Sequence, residues 1–463
     1  MKGLFLVTLL LSLAGLSPAK AESDESSQPP NIVLILADDL GYADLGCYGS
    51  TTNHTPNLDA LAAAGLRFTD FHSNGTMCSP TRAALLTGLY QQRFGSQFET
   101  ALSAVRNDPG LPLEALTIAE VLSEAGYATS CFGKWHLGYQ APFLPTNQGF
   151  NEFRGLLSGD GDFHTQVDRS GNPDWYHDGE LAPEKGYTTD LLTHHAVDFI
   201  DRYRDSSFFL YVPHLAVHFP WQGPEDPPHR KPGTEYHKDK WGIIPDRSNI
   251  HPHLKAMIES LDDSVGAITS ALKKYGLTEN TLVIFTSDNG GYLSYPGGFQ
   301  NISDMGPFRG QKAQVYEGGH RVPAIISWPG KITPGLCKET VMTHDLFPTL
   351  ARLAGINLEE KAPDLHGPKD HARDGVDLTP LLLDSKPIAS RTLFWRMGPN
   401  RAVRSGPHKL CLLGKKAPEL YHLEQDPGET TNIAAQHPEL VSRLTQSLIT
   451  WEQNVDQSAK AHQ

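Results

Sequence analysis

Continuous apolar runs that stop at acidic residues set the pattern of this chain. Asn31 opens Ile32-Val33-Leu34-Ile35-Leu36-Ala37, which ends abruptly in Asp38-Asp39. A run that is apolar at every position, without alternation, predicts a parallel strand buried on both faces. Leu282-Val283-Ile284-Phe285 repeats the design and ends in Thr286-Ser287-Asp288-Asn289-Gly290-Gly291. Segments 208–212, 324–328 and 128–132 are further strand candidates. Helical stretches alternate with them over 57–65, 117–126, 191–203 and 254–275. In the last, Leu254, Met257, Ile258, Leu261, Val265, Ile268 and Leu272 form one apolar stripe. Such alternation predicts an α/β sheet with helices on both faces.

Open α/β sheets carry their sites at the carboxyl ends of strands, so both acidic pairs are expected at one edge. Two stretches rich in Gly, Pro, His and aromatics, 139–187 and 219–253, read as insertions lining that edge. After a helix at 345–354 and a Pro- and charge-rich link at 359–373, short segments dominate. They predict a small antiparallel sheet and a terminal helix at 438–454. The division expected is a leader over 1–21, a catalytic α/β domain over 22–384 and a small α+β subdomain over 385–463.

The leader follows from Lys2, the apolar run Leu4 to Leu16 and the small-x-small site Ala19-Lys20-Ala21. It predicts an exported protein, periplasmic or secreted. No later stretch approaches the roughly 20 apolar residues of a membrane span. With 39 basic against 53 acidic residues, net −14, the chain lacks the basic face of a nucleic-acid binder. An anionic substrate must be held by a few local cations. Five cysteines are too few for a disulfide framework, and none has zinc-motif spacing.

Five groups could carry chemistry. In Cys78-Ser79-Pro80-Thr81-Arg82, Pro80 suits a first helical turn and Gly88 a helix stop, which puts Cys78 at a helix N-terminus. There it is either a buried structural thiol or a group whose thiolate the helix end stabilises. Asp38, Asp39, Asp288 and Asn289 are oxygen donors only, a set suited to calcium or magnesium rather than zinc. Without a cation, their convergence is expected to be repulsive. Lys134 and His136 point the same way from an extended segment, a pairing for anion binding and proton transfer. Arg309 and Lys312 lie in a glycine-bearing loop, and His218 and His214 follow the 208–212 strand. Asp262-Asp263 read as a solvated or packing-edge pair on a helix, and His194-His195 as helical residues that do not face each other.

Taken together, these residues resemble the formylglycine-dependent sulfatase family of the alkaline phosphatase superfamily. Cys-x-Pro-x-Arg is met by Cys78, Pro80 and Arg82, followed by Leu85-Leu86-Thr87-Gly88. Gly-Tyr-x-Thr running into Gly-Lys-x-His is met by Gly126 to Thr129 and Gly133 to His136. Thr81 stands where the family often has Ser or Ala. The resemblance implies an alkaline phosphatase-like fold, a large mixed, mostly parallel sheet with a smaller C-terminal antiparallel sheet plus helix.

It also implies a role for each matching residue. Cys78 would be oxidised to formylglycine by a maturation enzyme and would join Asp38, Asp39, Asp288 and Asn289 around one divalent cation, Ca2+ rather than Mg2+. Arg82 would stabilise the hydrated aldehyde. Lys134, His136, His218 and Lys312 would surround the sulfate, with Ser158 and Arg309 as further substrate contacts. His218 or Lys312 would protonate the leaving alcohol, and His136 would deprotonate the second hydroxyl. The expected substrate is a sulfated carbohydrate, attacked in exo fashion. The alternatives are a broad arylsulfatase, a phosphodiesterase or phosphonate-ester hydrolase of the same superfamily, and a non-catalytic sulfated-glycan binder if Cys78 stays unconverted.

Overall fold

The computed structural model describes residues 29–461 apart from 105, 107 and 359–372. The leader and nearly all of the 359–373 link lie outside the described residues. The chain runs through β1 (Asn31–Ala37), α1 (Pro56–Ala63), β2 (Leu66–Phe68), β3 (Phe71–His72), α2 (Cys78–Thr87) and α3 (Ile118–Glu124). It continues through β4 (Ala128–Lys134), β5 (Glu152–Leu156), β6 (Tyr176–His177), β7 (Glu180–Leu181), α4 (Thr188–Arg202) and β8 (Phe208–Pro213). Next come α5 (His251–Lys274), β9 (Thr281–Ser287), α6 (Glu317–His320), β10 (Ala324–Ser327), β11 (Gly335–Cys337), β12 (Val341–Met342) and α7 (Leu346–Leu353). A helix over Thr379–Asp384 precedes β13 (Thr392–Met397), β14 (Asn400–Ser405), β15 (His408–Leu413), β16 (Glu419–His422) and the terminal helix Pro438–Ala461.

Ten strands form the main sheet in the order β11-β2-β10-β9-β1-β8-β4-β5-β6-β7. The five in its middle, β9 to β5, are parallel, and antiparallel strands flank them. Every residue of β1 is buried, as an uninterrupted apolar run requires. Ile32, Leu34 and Leu36 face a core shared with α2, α3 and α7, while Val33, Ile35 and Ala37 face one shared with α1, α4 and α5. The sheet is thus covered on both sides.

Two sequence readings change. The 139–187 stretch is not only an insertion, because β5 within it pairs with β4 and extends the main sheet. Asp262 is not solvated: it is buried and accepts from the backbone N–H of Asn57 at 3.1 Å and of Leu58 at 2.8 Å. It therefore caps α1, whose own Thr55 provides no side-chain cap. Helical periodicity gave the face of Asp262 but not the helix end opposite it.

The C-terminal strands form an antiparallel sheet, β13-β14-β15-β16. Its core, with Trp395, Val403, Leu410, Leu420 and Trp451, also takes in Tyr90, Val315 and Met342 from the larger part. A buried charged seam lies in the same interface. Lys409 Nζ is 2.8 Å from Glu317 Oε1 and 3.0 Å from Glu429 Oε1, and Arg404 holds Asp70 with its two terminal nitrogens. His72, Glu317 and His320 lie close enough to hold a metal ion, but Lys409 and Arg404 already supply the positive charge there. Lys409→Met leaves two buried carboxylates without their shared cation. It is expected to cost about 3–5 kcal/mol, read as a lower urea midpoint at unchanged m-value.

Candidate active site

The register of β1 against β9 builds the floor of the site. Ala37 pairs with Ser287, and Asp288 N–H donates to Ala37 O at 3.0 Å, so both acidic pairs leave the sheet side by side. Asp39 then turns with φ of 62°, a left-handed conformation disfavoured for a residue with a Cβ. His136, just past β4, does the same with φ of 55°. Non-glycine residues held in this region cluster at functional sites. Gly133 ahead of it, with φ of 144°, sits where a Cβ would fall 2.0 Å from Pro213 O, so only glycine lets β4 approach β8 there. Helix α2 delivers Cys78 at its first residue and Arg82 one turn on, and Gly88 closes it with φ of 70°.

The side chains interlock. Cys78 Sγ lies 3.4 Å from Asp38 Oδ1 and 3.3 Å from Lys312 Nζ. Lys312 donates to Asp39 Oδ1 at 2.5 Å, and Lys134 donates to Asp38 Oδ2. Arg82 Nε donates to Asp288 Oδ2 at 2.9 Å. His218 Nε2 is 3.7 Å from Asp39 Oδ2, while its Nδ1–H donates to Phe219 O at 2.7 Å. His136 donates Nε2–H to Leu102 O at 3.0 Å. These bonds leave Nε2 of His218 and Nδ1 of His136 as lone-pair acceptors. Burial, together with Lys312 and Lys134 at His218 and with Lys134 and Arg82 at His136, holds both rings well below the usual imidazole range. Burial also pulls Lys312 down, but Asp39 and the Cys78 sulfur outweigh it and keep the ammonium well above the ordinary lysine range.

Of the two readings of Cys78 the buried thiol is the one found, and one argument about the acidic cluster is corrected. The helix end does not yield a thiolate: burial, with Asp38 adding to it, pushes the Cys78 thiol up to about 12 against the opposing Lys134 and Lys312. The acidic cluster also needs no metal merely to avoid repulsion, since Arg82, Lys134 and Lys312 match Asp38, Asp39 and Asp288 one for one. What fits a metal is narrower. Asp39 Oδ2 and Asn289 Oδ1 are buried acceptors with no partner, beside Asp38 and Asp288. Buried acceptors left without a partner, all oxygen, are the donor set of a hard divalent cation.

Above this floor opens a cleft of about 630 Å³ lined by Cys78, His136, His218, Lys312 and Ser158. Lys134 and Arg82 lie beneath it, fully buried. Ser158 reaches the cleft, although its hydroxyl is bonded to Asp160 O at 2.8 Å. Arg309 is not brought to it. Gly310 has φ of 86°, and Arg309 donates instead to Tyr421 Oη and Glu429 O at 2.9 Å, tying the small sheet to the loop. His214 is buried elsewhere, 3.2 Å from Ser264 Oγ. Sequence reading missed Arg169 and Lys240 in the insertions, and Tyr292 and Tyr295 after β9, all of which line the cleft. The basic residues among aromatics were the available signal.

An α/β sheet with a buried cluster of carboxylates and cationic side chains at its carboxyl edge, under an open cleft, defines a hydrolase of anionic esters. The sulfatase family profile matches residues 30–356. Arylsulfatase A of Homo sapiens is 36% identical over 95% of this chain and 89% of that protein. N-acetylgalactosamine-6-sulfatase of Mus musculus is 35% identical over 87% of this chain and 75% of its own length. Among solved structures, Ps i-CgsB superposes with a TM-score of 0.78 at 30% identity, covering 93% of this chain and 94% of that one, and is also known in complex with k-i-k-neocarrahexaose. The chain belongs to the sulfatase family of the alkaline phosphatase superfamily and is a sulfuric ester hydrolase.

Proposed function

We infer that the protein is an exported carbohydrate sulfatase that uses formylglycine at position 78 and one divalent cation, Ca2+ in preference to Mg2+. The observation that carries this reading is Cys78 itself. It lines the cleft from the first residue of α2, and Asp38 and Lys312 converge on its sulfur. That setting suits a precursor that a maturation enzyme oxidises. The leader-like residues 1–21 support export, periplasmic or secreted. A cavity of this size encloses a drug-sized ligand, which suits the end of a sulfated chain and hence exo action. The named activity of the N-acetylgalactosamine-6-sulfatase relative and the carrageenan oligosaccharide bound by Ps i-CgsB support a sugar substrate.

Asp38, Asp39, Asp288 and Asn289 would hold the cation, which when bound offsets charge on the sulfate oxygens. A hydrated aldehyde at position 78 would supply one hydroxyl for attack on sulfur and a second whose deprotonation would expel sulfate and restore the aldehyde. Arg82 and Lys134 fix the carboxylates from below. His136, neutral and with Nδ1 free, can accept the proton of that second hydroxyl. Lys312 or His218 would protonate the leaving oxygen, and of the two Lys312 is the one that carries a proton. Mass spectrometry of the residue-78 peptide from protein made with a maturation enzyme should show the aldehyde in place of the thiol. The same protein should release sulfate from sulfated mono- and disaccharides; turnover confined to small aryl sulfates would sink the sugar reading.

A further inference from the structure

The wall of the cleft built by the two insertions carries positive charge that a single sulfate does not use. Lys240 Nζ lies 4.8 Å from the ring centroid of Trp241, 5.1 Å from that of Phe219 and 5.4 Å from that of Tyr295. It bonds Tyr295 Oη at 3.4 Å, and among the described residues no carboxylate pairs with it. Arg169 beside it shares Asp160 with the fully buried Arg230, each at 2.8 Å, so one carboxylate answers two guanidiniums. Asp168, the other acid on this wall, is occupied by the backbone N–H groups of Ser170 and Asn172 at 2.8 Å. Burial pulls Lys240 down to about 8 and Arg169 adds to it, the behaviour of an ammonium short of negative charge.

This ammonium stands apart from the cations around Cys78. Tyr292 and Tyr295, with ring centroids 4.9 Å apart, separate it from Lys312, whose Nζ lies 5.4 Å from the Tyr292 ring. We propose that Lys240, backed by Arg169, is a second anion-binding position in the cleft. The preferred substrate is then a saccharide bearing a further sulfate or carboxylate besides the sulfate at Cys78. The proposal rests on the sulfatase reading for the place of the first sulfate.

Calorimetry on the chain with unconverted Cys78, in Ca2+, tests it without turnover. The probes are a monosulfated neutral disaccharide, a disulfated one, and a monosulfated one carrying a uronate. A two-anion probe is expected to bind roughly tenfold more tightly than the neutral monosulfated one. That margin should fall within about twofold in Lys240→Gln, persist in Lys240→Arg, and shrink in the unsubstituted protein as salt is raised. A margin for the disulfated probe alone assigns the second group as sulfate; one for the uronate alone assigns a carboxylate. Equal affinity for one- and two-anion probes, or a margin that Lys240→Gln leaves intact, overturns the proposal. Converted enzyme that shows the binding margin but releases no sulfate would instead refute the proposed function.

Discussion

Cys78→Ser is expected to lower steady-state sulfate release by on the order of 10³-fold or more, the scale on which removing a nucleophile acts. The serine oxygen would occupy nearly the place of Sγ, between Asp38 and Lys312, so the pairings of the floor survive. A serine can still be sulfated once. Its sulfate ester has no second hydroxyl from which His136 could remove a proton, so the reaction halts there. The expected signature is a burst of leaving alcohol no larger than the amount of protein, with no sulfate in solution. Sustained sulfate production by this variant would refute the formylglycine reading.

Chelation is expected to have the second largest effect, about 10²-fold on kcat, with a fall in thermal midpoint, both reversed by Ca2+ and poorly by Mg2+. The three carboxylates of the floor are balanced by Arg82, Lys134 and Lys312 before a substrate arrives. A sulfate ester adds negative charge that these cations, already paired, answer only in part. Asp39→Ala, which removes the bare Oδ2, should reproduce the loss and abolish the recovery with Ca2+. Unchanged rate and midpoint after exhaustive chelation would exclude a resident cation.

Much of this site was legible in the chain because strands announce their ends. The uninterrupted run into Asp38 and the matching run into Asp288 needed only parallel pairing to meet, and the register of Ala37 with Ser287 provides it. The motif spacing around Cys78 and Lys134 did the same for the elements that flank them. What stayed hidden depended on neighbours distant in sequence. Asp262 lay on a recognisable helix, yet its work at the α1 terminus is set by another helix. Arg309 is three positions from Lys312 yet reaches Tyr421 of the small sheet rather than Asp39 of the floor, a partner distant in sequence. The two readings of Cys78, buried thiol or helix-end thiolate, could not be separated in the sequence, because burial and Asp38 set its proton affinity.

The burial of α2 has a consequence for biogenesis. All ten of its residues are buried, with Cys78 1% exposed and Ser79, Thr81 and Arg82 fully enclosed. A separate enzyme that recognises Cys-x-Pro-x-Arg cannot grip that segment in the finished fold. On the proposed formylglycine reading, oxidation of Cys78 would therefore belong to the life of the nascent or unfolded chain, and the fraction of active protein would record a race between that enzyme and the closing of the core.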